Sequence, residues 1–344
     1  MKTILVILDG LSEEKIRILN YKTPLEYAKT PILDKIIEKG EHIKKSFYIP
    51  GRTPDSLSCI LSILGVDKCK IPKNRAYLEA LAAGIKGGED EAVLRCNLIS
   101  INDNSLESFN GKGLTNEEMA AAAKKVKLPE GLSFYYMSNY RNILVLKKNR
   151  ELLSLKTLPP HENPGLFVDE LLKDYKSIPV LDEFINRNIF NLKGRQYMFY
   201  PWGVSEAVEL PSFESIHNKT CSCVCGAEIV KGIAKAMQMD TPILKNATGD
   251  VDTDLKEKAA AVLNEIKTHD VVVAHINGTD EASHRKNFHE KINFIEKIDN
   301  EFISEIYEAS DNIKLIILSD HQTSSITGKH EKGLVDYITN IREE

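Results

Sequence analysis

Residues 3–10 read TILVILDG, residues 271–284 read VVVAHINGTDEASH and residues 314–321 read KLIILSDH. Each is a short aliphatic run that leads to an acid or an imidazole. Leu5 to Leu8 runs into Asp9, Val271 to Ile276 leads to Asp280 and His284, and Ile316 to Leu318 meets Asp320 and His321. Continuous apolar runs of this length fit strands covered on both faces, as in a parallel sheet between helices. In such a sheet ligands bind outside the carboxyl ends of the strands, so three segments far apart in sequence deliver their last side chains to one place. The expected fold class is α/β, a parallel sheet sandwiched by helices.

The segments around these runs agree. Amphipathic helices are expected over Ala227 to Met237, Leu255 to Ile266 and Phe288 to Tyr307, and another over Pro31 to Lys39, entered through Thr30 and a proline suited to a first helical turn. A short strand, Ile43 to Ile49, stops at Pro50-Gly51. From Asp55 to Leu64, Leu57, Ile60, Leu61 and Leu64 recur at helical spacing, which puts Ser56 in a first turn after a loop containing Gly51 and Pro54. The middle of the chain reads differently. A strand at Ala92 to Ile101 precedes a helix at Thr115 to Lys125 opened by Thr115 and Glu118 as a capping box, then strands at Leu132 to Met137 and Asn142 to Leu146. Helices at Val168 to Tyr175 and Pro179 to Arg187 and a return segment at Tyr197 to Trp202 complete an α+β pattern. The expected organisation is a discontinuous domain of residues 1–85 and 204–344, interrupted by a smaller α+β domain over 86–203.

Composition narrows the function. With 344 residues, 42% apolar and 28% charged, the chain is an enzyme-sized globular protein. A net charge of −5, with lysine and arginine scattered, offers no basic patch for a nucleic acid. No apolar run has transmembrane length, and the first strand begins almost at Met1, so neither a membrane nor export is expected and the cytosol is. Six cysteines are too few for a disulfide framework. Cys221, Cys223 and Cys225 alternate and would share one strand face, either as a soft-metal site or as small buried residues.

The strand-end residues carry the chemistry. If a helix begins near Asp280, His284 lies on its same face four residues on, and His330 can reach them from the glycine-containing loop after the last strand. One acid and two imidazoles suit Zn, Mn or Fe, while Asp9, Asp320, His321 and the Ser56 oxygen make a second, harder set. Two such ions can hold the incoming and departing oxygens of an in-line phosphoryl displacement. A serine hydroxyl is a weak nucleophile at neutral pH unless its pKa is lowered, and a helix start adds backbone N–H groups for a phosphate.

The chain resembles the cofactor-independent phosphoglycerate mutases, in their shorter archaeal-type branch within the alkaline phosphatase superfamily, over nearly its whole length. The resemblance rests on Leu5-Val6-Ile7-Leu8-Asp9-Gly10, Thr23-Pro24-Leu25 with Ala28-Lys29-Thr30-Pro31, Leu61-Ser62-Ile63-Leu64-Gly65, Arg95-Cys96-Asn97-Leu98, Ala247-Thr248-Gly249-Asp250 with Asp252-Thr253, Asp280-Glu281-Ala282 with His284, and Asp320-His321. It implies two divalent metal ions, Mn or Zn, one on Asp9, Ser56, Asp320 and His321 and the other on Asp280, His284 and His330. It makes Ser56 the residue that is phosphorylated, and it implies a substrate-clamping insert in which Arg95, Asn97, Tyr140-Arg141, Lys112 and His161-Glu162 face the substrate. The partner implied is a small phosphorylated metabolite, acted on by a monomer or small homo-oligomer.

Two departures bear on the substrate. The family places glycine before its serine and an acid after it, whereas Asp55 and Leu57 flank Ser56, and Gly111-Lys112 stands where mutases of this branch carry an arginine. The leading expectation is interconversion of 3- and 2-phosphoglycerate through a phosphoserine, in an enclosed site that keeps water from the intermediate. The alternatives are a phosphotransferase or phosphatase on another small phosphometabolite, as in the related branch proposed to contain homoserine kinases, and a non-catalytic metal-dependent binding protein.

Overall fold

The Lys2–Leu8 run forms an inner strand of a six-stranded sheet ordered Glu41–Lys45, Val335–Thr339, Ile313–Leu318, Lys2–Leu8, Val271–Ile276, Cys221–Val224. The structure, a computed structural model, describes residues 1–309 and 312–342. The last four strands run parallel, and Val335–Thr339 pairs antiparallel with both of its neighbours. Leu5 lies opposite Val273 on one side and Ile316 on the other, so the three runs end at the same level.

Strand alternation turns Ile4, Val6, Leu8, Val272, Ala274, Ile276, Leu315 and Ile317 toward one layer of helices, where they meet Leu33, Ile36, Leu255, Val262, Phe294 and Ile298. Each such fully buried aliphatic or aromatic side chain contributes about 1.5–3 kcal/mol, so this face anchors the sheet on which the strand ends are displayed. On Cys221–Val224 packs helix Glu228–Ala236, which also touches helix Ser56–Ile63.

Several elements depart from expectation for local reasons. The strand expected at Ile43 to Ile49 is Glu41–Lys45, because its pairing starts after Gly40 and runs out where its partner begins at Val335. The long helix from Phe288 is interrupted at Asp299–Ile303 by a π-helical turn before Ser304–Glu308. Asp299, buried at that turn, accepts the N–H groups of Ile32 and Leu33 at 3.1 and 2.8 Å. It thereby satisfies orphan donors of helix Pro31–Lys39, whose own Thr30 makes no side-chain cap. The helix expected over Val168 to Tyr175 closes at Leu171, and Tyr175 turns into the core to donate its hydroxyl to the Pro201 carbonyl. Cys221, Cys223 and Cys225 are buried and free, and no metal-type group among the described residues includes them.

Residues 73–208 form a second compact unit, distinct from the unit of residues 1–72 and those from Glu209 onward. It is wider than 86–203 because helix Ala76–Ala82 packs Ala76 and Ala80 on Val93, Ile143 and Val145. Its antiparallel sheet runs Leu132–Ser138, Arg141–Lys147, Glu91–Asn102, Arg195–Glu206, Ile189–Leu192. Thr115 and Glu118 form the capping box of helix Asn116–Ala123.

Candidate functional site

Asp9 follows the last residue of its strand, yet its N–H still bonds the Ile276 carbonyl at 3.0 Å, so it leaves the sheet in a fixed direction. The carboxylate is 1% exposed. Ser56 Oγ lies 3.2 Å from Asp9 Oδ2 and 3.3 Å from His321 Nε2, while His321 Nε2 is 3.3 Å from Asp9 Oδ1 and 3.4 Å from Asp320 Oδ2. Asp320 Oδ1 accepts the N–H groups of Gly10 and His321, whereas its buried Oδ2 has no hydrogen-bond partner. Ser56 is the first residue of its helix, and Asp55 accepts the Ser58 N–H at 2.8 Å. That cap is the physical reason for an acid where the family places glycine.

Asp280 and His284 occupy helix Gly278–His284, and the expected spacing brings His284 Nε2 to 3.1 Å from Asp280 Oδ2. His330 Nε2 is 3.5 Å from Asp280 Oδ1 and 3.1 Å from His284 Nε2. The ligand atoms of Asp9, Asp320 and His321, and likewise those of Asp280, His321 and His330, lie within 4.8 Å of one another. All seven residues proposed as metal ligands from sequence therefore come together in one unit of the fold, with His321 adjoining both groups.

The imidazoles are presented in a telling way. His284 Nδ1 meets the Gly328 carbonyl and His330 Nδ1 the Pro54 carbonyl, each at 2.9 Å. A carbonyl only accepts, so each Nδ1 carries a proton, and Nε2 is the nitrogen whose lone pair is offered once the ring is neutral. His321 Nδ1 lies 3.1 Å from Thr323 Oγ1, which in turn donates to Asp280 Oδ1 at 2.6 Å and so is free to accept from the ring. Two Nε2 lone pairs facing each other at 3.1 Å repel unless a cation or a proton lies between them.

Electrostatics point the same way. Burial, then the charges of Asp320 and Asp280, push Asp9 well above the usual carboxylate range. Burial raises Asp320 too, with His321 opposing and Asp280 adding to it. Burial alone would lower His284, but the hydrogen bond and charge of Asp280 outweigh it and lift the group to about 9. Three buried carboxylates at one place are costly unless positive charge compensates them. The orphaned Asp320 oxygen, the facing Nε2 atoms and the oxygen and nitrogen donors all fit divalent cations.

In the second unit, Arg95 is clamped by Glu79, whose Oε2 lies 2.9 Å from Nε, and by the Trp202 ring, whose centroid is 4.1 Å from Cζ. Glu79 also pairs with Arg75 at 2.5 Å, and the charges of Arg75, Arg95 and Arg141 together hold its pKa down against burial. Trp202 donates to Asn97 at 3.0 Å, His161 stands 5.6 Å from Trp202, and the Arg141 guanidinium lies 5.4 Å from the Tyr140 ring. Arg95, Arg141, Asn97, Tyr140 and His161 are thus linked through one cluster of rings and charges. Lys112 is engaged elsewhere, its ammonium 3.1 Å from Glu107 on a side chain more than half exposed.

Sequence reasoning missed four contributors. Thr279 donates to the Asp9 carbonyl, Thr323 to Asp280, and buried Lys291 bridges Glu13 at 3.0 Å and the Thr323 carbonyl at 2.9 Å. The fourth, His275, left a signal, being an imidazole inside an aliphatic strand. Gly10, at φ +61°, is needed for the close approach of these parts, since a Cβ there would lie 2.7 Å from both Asp280 Oδ1 and Thr323 Oγ1. Gly10→Ala is expected to destabilise the fold by about 2–4 kcal/mol, summing a left-handed alanine and local overpacking. A lower urea midpoint at unchanged slope checks this.

The profile of the metalloenzyme superfamily matches residues 1–339. A 2,3-bisphosphoglycerate-independent phosphoglycerate mutase of Thermococcus gammatolerans is 31% identical, over 94% of this chain and 84% of that protein. The namesake from Methanosarcina barkeri is 28% identical over 98% of this chain and 89% of its own length. Among solved structures, the PH0037 protein of Pyrococcus horikoshii superposes with a TM-score of 0.79 at 24% identity, covering 98% of this chain and 87% of that one. The cofactor-independent phosphoglycerate mutase of Thermoplasma acidophilum gives 0.57 at 20% identity, covering 98% and 89%. Both share the fold. The chain belongs to the metalloenzyme superfamily and, within it, to the cofactor-independent phosphoglycerate mutase family of metal-dependent phosphoryl-transfer enzymes.

Proposed function

We propose that this protein interconverts 3- and 2-phosphoglycerate without bisphosphoglycerate, carrying the phosphoryl group on Ser56. The observation that carries this reading is the orientation of His284 and His330, whose Nδ1 atoms are tied to carbonyls so that both Nε2 atoms turn toward Asp280, in the same unit as Ser56. Asp9, Ser56, Asp320 and His321 would hold one divalent ion and Asp280, His284 and His330 the other, with Mn or Zn suiting the donors. Bound there, the ions would lower the pKa of the Ser56 hydroxyl and neutralise charge on the transferring phosphoryl group.

Ser56 Oγ attacks phosphorus, the bond to the C3 oxygen breaks and glycerate is left beside phosphoserine. The C2 oxygen of the same glycerate then attacks, and Ser56 is regenerated. The helix start after Asp55 offers backbone N–H groups to the phosphoryl oxygens. Within the second unit, Glu79 and Trp202 fix the plane of the Arg95 guanidinium, which suits it to a two-pronged grip on a carboxylate. The six free thiols, five of them buried, suit a reducing cytosol.

The test is to incubate the manganese-loaded protein with 3-phosphoglycerate alone and follow phosphorus resonances. Appearance of 2-phosphoglycerate is expected. Release of inorganic phosphate alone would favour the second reading, a phosphatase or phosphotransferase on another small metabolite, for which the engagement of Lys112 by Glu107 speaks.

Arg95→Lys and Arg141→Lys should each lower kcat/KM for 3-phosphoglycerate about 10- to 100-fold, the worth of a hydrogen bond between charged groups. Hydrolysis of an aryl phosphate, which has no carboxylate, should fall less than about threefold on the same reasoning. Lys112→Ala should show the same selectivity more weakly. Equal losses on both substrates would mean that the arginines serve the fold.

A further inference from the structure

His275 is 1% exposed on a strand whose other side chains are aliphatic, and its Nε2 lies 3.1 Å from Asp9 Oδ2. Its Nδ1 is buried without a hydrogen-bond partner. This inverts the pattern of His284 and His330, whose Nδ1 atoms are occupied and whose Nε2 atoms are presented. A ring buried this fully, with no acceptor at Nδ1, has nowhere to place a second proton's hydrogen bond and is most stable neutral. A neutral imidazole has one proton. Placed on Nδ1, that proton would have no acceptor and the Nε2 lone pair would face the carboxylate oxygen. Placed on Nε2, it is donated to Asp9.

The backbone around the pair is also held. His275 lies opposite Ile7 in the parallel ladder, and Lys258 donates to the His275 carbonyl at 3.2 Å. Thr279 donates to the Asp9 carbonyl. The fold therefore leaves a buried acceptor unpaired in order to aim a donor at one oxygen of Asp9, and an unpaired buried group of this kind calls for a reason. The other oxygen, Oδ1, is the one that faces His321 Nε2 at 3.3 Å, while the Ser56 hydroxyl lies 3.2 Å from Oδ2 and 3.5 Å from Oδ1, so that Oδ2 already has two donors against it.

We propose that His275 is a positioning residue that ties down Asp9 Oδ2 and leaves Oδ1 as the single oxygen offered to a divalent ion at the Asp9–Asp320–His321 group. This rests on the two-metal reading above. A donor behind a ligand fixes its orientation and sharpens its affinity, and losing such a donor typically costs about 10- to 100-fold in metal binding.

The test titrates the full-length metal-free chain with Mn2+, following the free ion by electron paramagnetic resonance, in the wild type, His275→Gln and His275→Asn. A glutamine amide nitrogen can occupy the place of Nε2, whereas that of asparagine stands near Nδ1 and falls short of Asp9. Two bound ions are expected in the wild type and in His275→Gln. In His275→Asn one class of site should weaken about 10- to 100-fold while the other is unchanged, and the weakened class should be the one that Asp320→Asn removes. Unchanged binding in His275→Asn overturns the proposal alone. Equal losses in both variants, including failure of both to fold, also overturn it, since a purely structural histidine would not be rescued by glutamine over asparagine. Fewer than two ions in the wild type overturns the two-metal reading and this proposal with it.

Discussion

Ser56→Ala is expected to lower turnover of 3-phosphoglycerate by at least about 10^4-fold, the order seen when a covalent nucleophile is removed, with fold and metal content nearly intact. The separation follows from where the residue sits. Its helix is capped by Asp55 and anchored through Leu57, Ile60 and Leu61, none of which depends on the Ser56 hydroxyl. Ser56 contributes one oxygen to a group that otherwise keeps Asp9, Asp320 and His321. Loss of that oxygen removes the carrier and leaves most of the donors. Mass spectrometry of enzyme quenched during turnover should find phosphate on the peptide containing Ser56 in the wild type and nowhere in the variant. Phosphate on another residue, or undiminished activity of Ser56→Ala, would reject the assignment.

The sheet and the metal-type residues were legible because their signals are local. An aliphatic run ending in an acid specifies both a buried strand and what stands at its end, and parallel pairing then aligns the ends, as the register of Leu5 with Val273 and Ile316 records. The four-residue spacing of Asp280 and His284 needed only a helix to become a contact. What could not be read depends on partners distant in sequence. Asp299, at the π-helical turn in its own helix, also serves the start of another helix more than 260 residues away in sequence. Thr323 looks like an ordinary loop threonine until Asp280 and His321 are seen on its hydroxyl. His275 is an anomaly in an aliphatic strand, but its meaning lies in Asp9, just past the end of the neighbouring strand. Lys112 is weighted by its position in a pattern, and its pairing with Glu107 cannot be read from that position.

Asp280→Asn is expected to reduce bound divalent ions from two per chain to one and to lower turnover by at least about 10^3-fold, since an ion worth several kcal/mol of charge stabilisation corresponds to that factor at 1.36 kcal/mol per decade. Asparagine nearly keeps the shape that Thr323 and His284 contact, so the loss reports charge more than packing. A second observable follows from the same charge. In the metal-free wild type, Asp280 lifts His284 to about 9 against burial, so at neutral pH this ring is protonated and must shed its proton when an ion binds. Apparent affinity for the ion at this group should therefore rise with pH until about 9 and level off above it. In Asp280→Asn the lifting partner is gone, burial dominates, and the His284 titration followed by proton resonances should move down, below its wild-type midpoint. Two ions retained in the variant, or a His284 midpoint unmoved by the substitution, would break the link between this carboxylate, its histidines and the second metal.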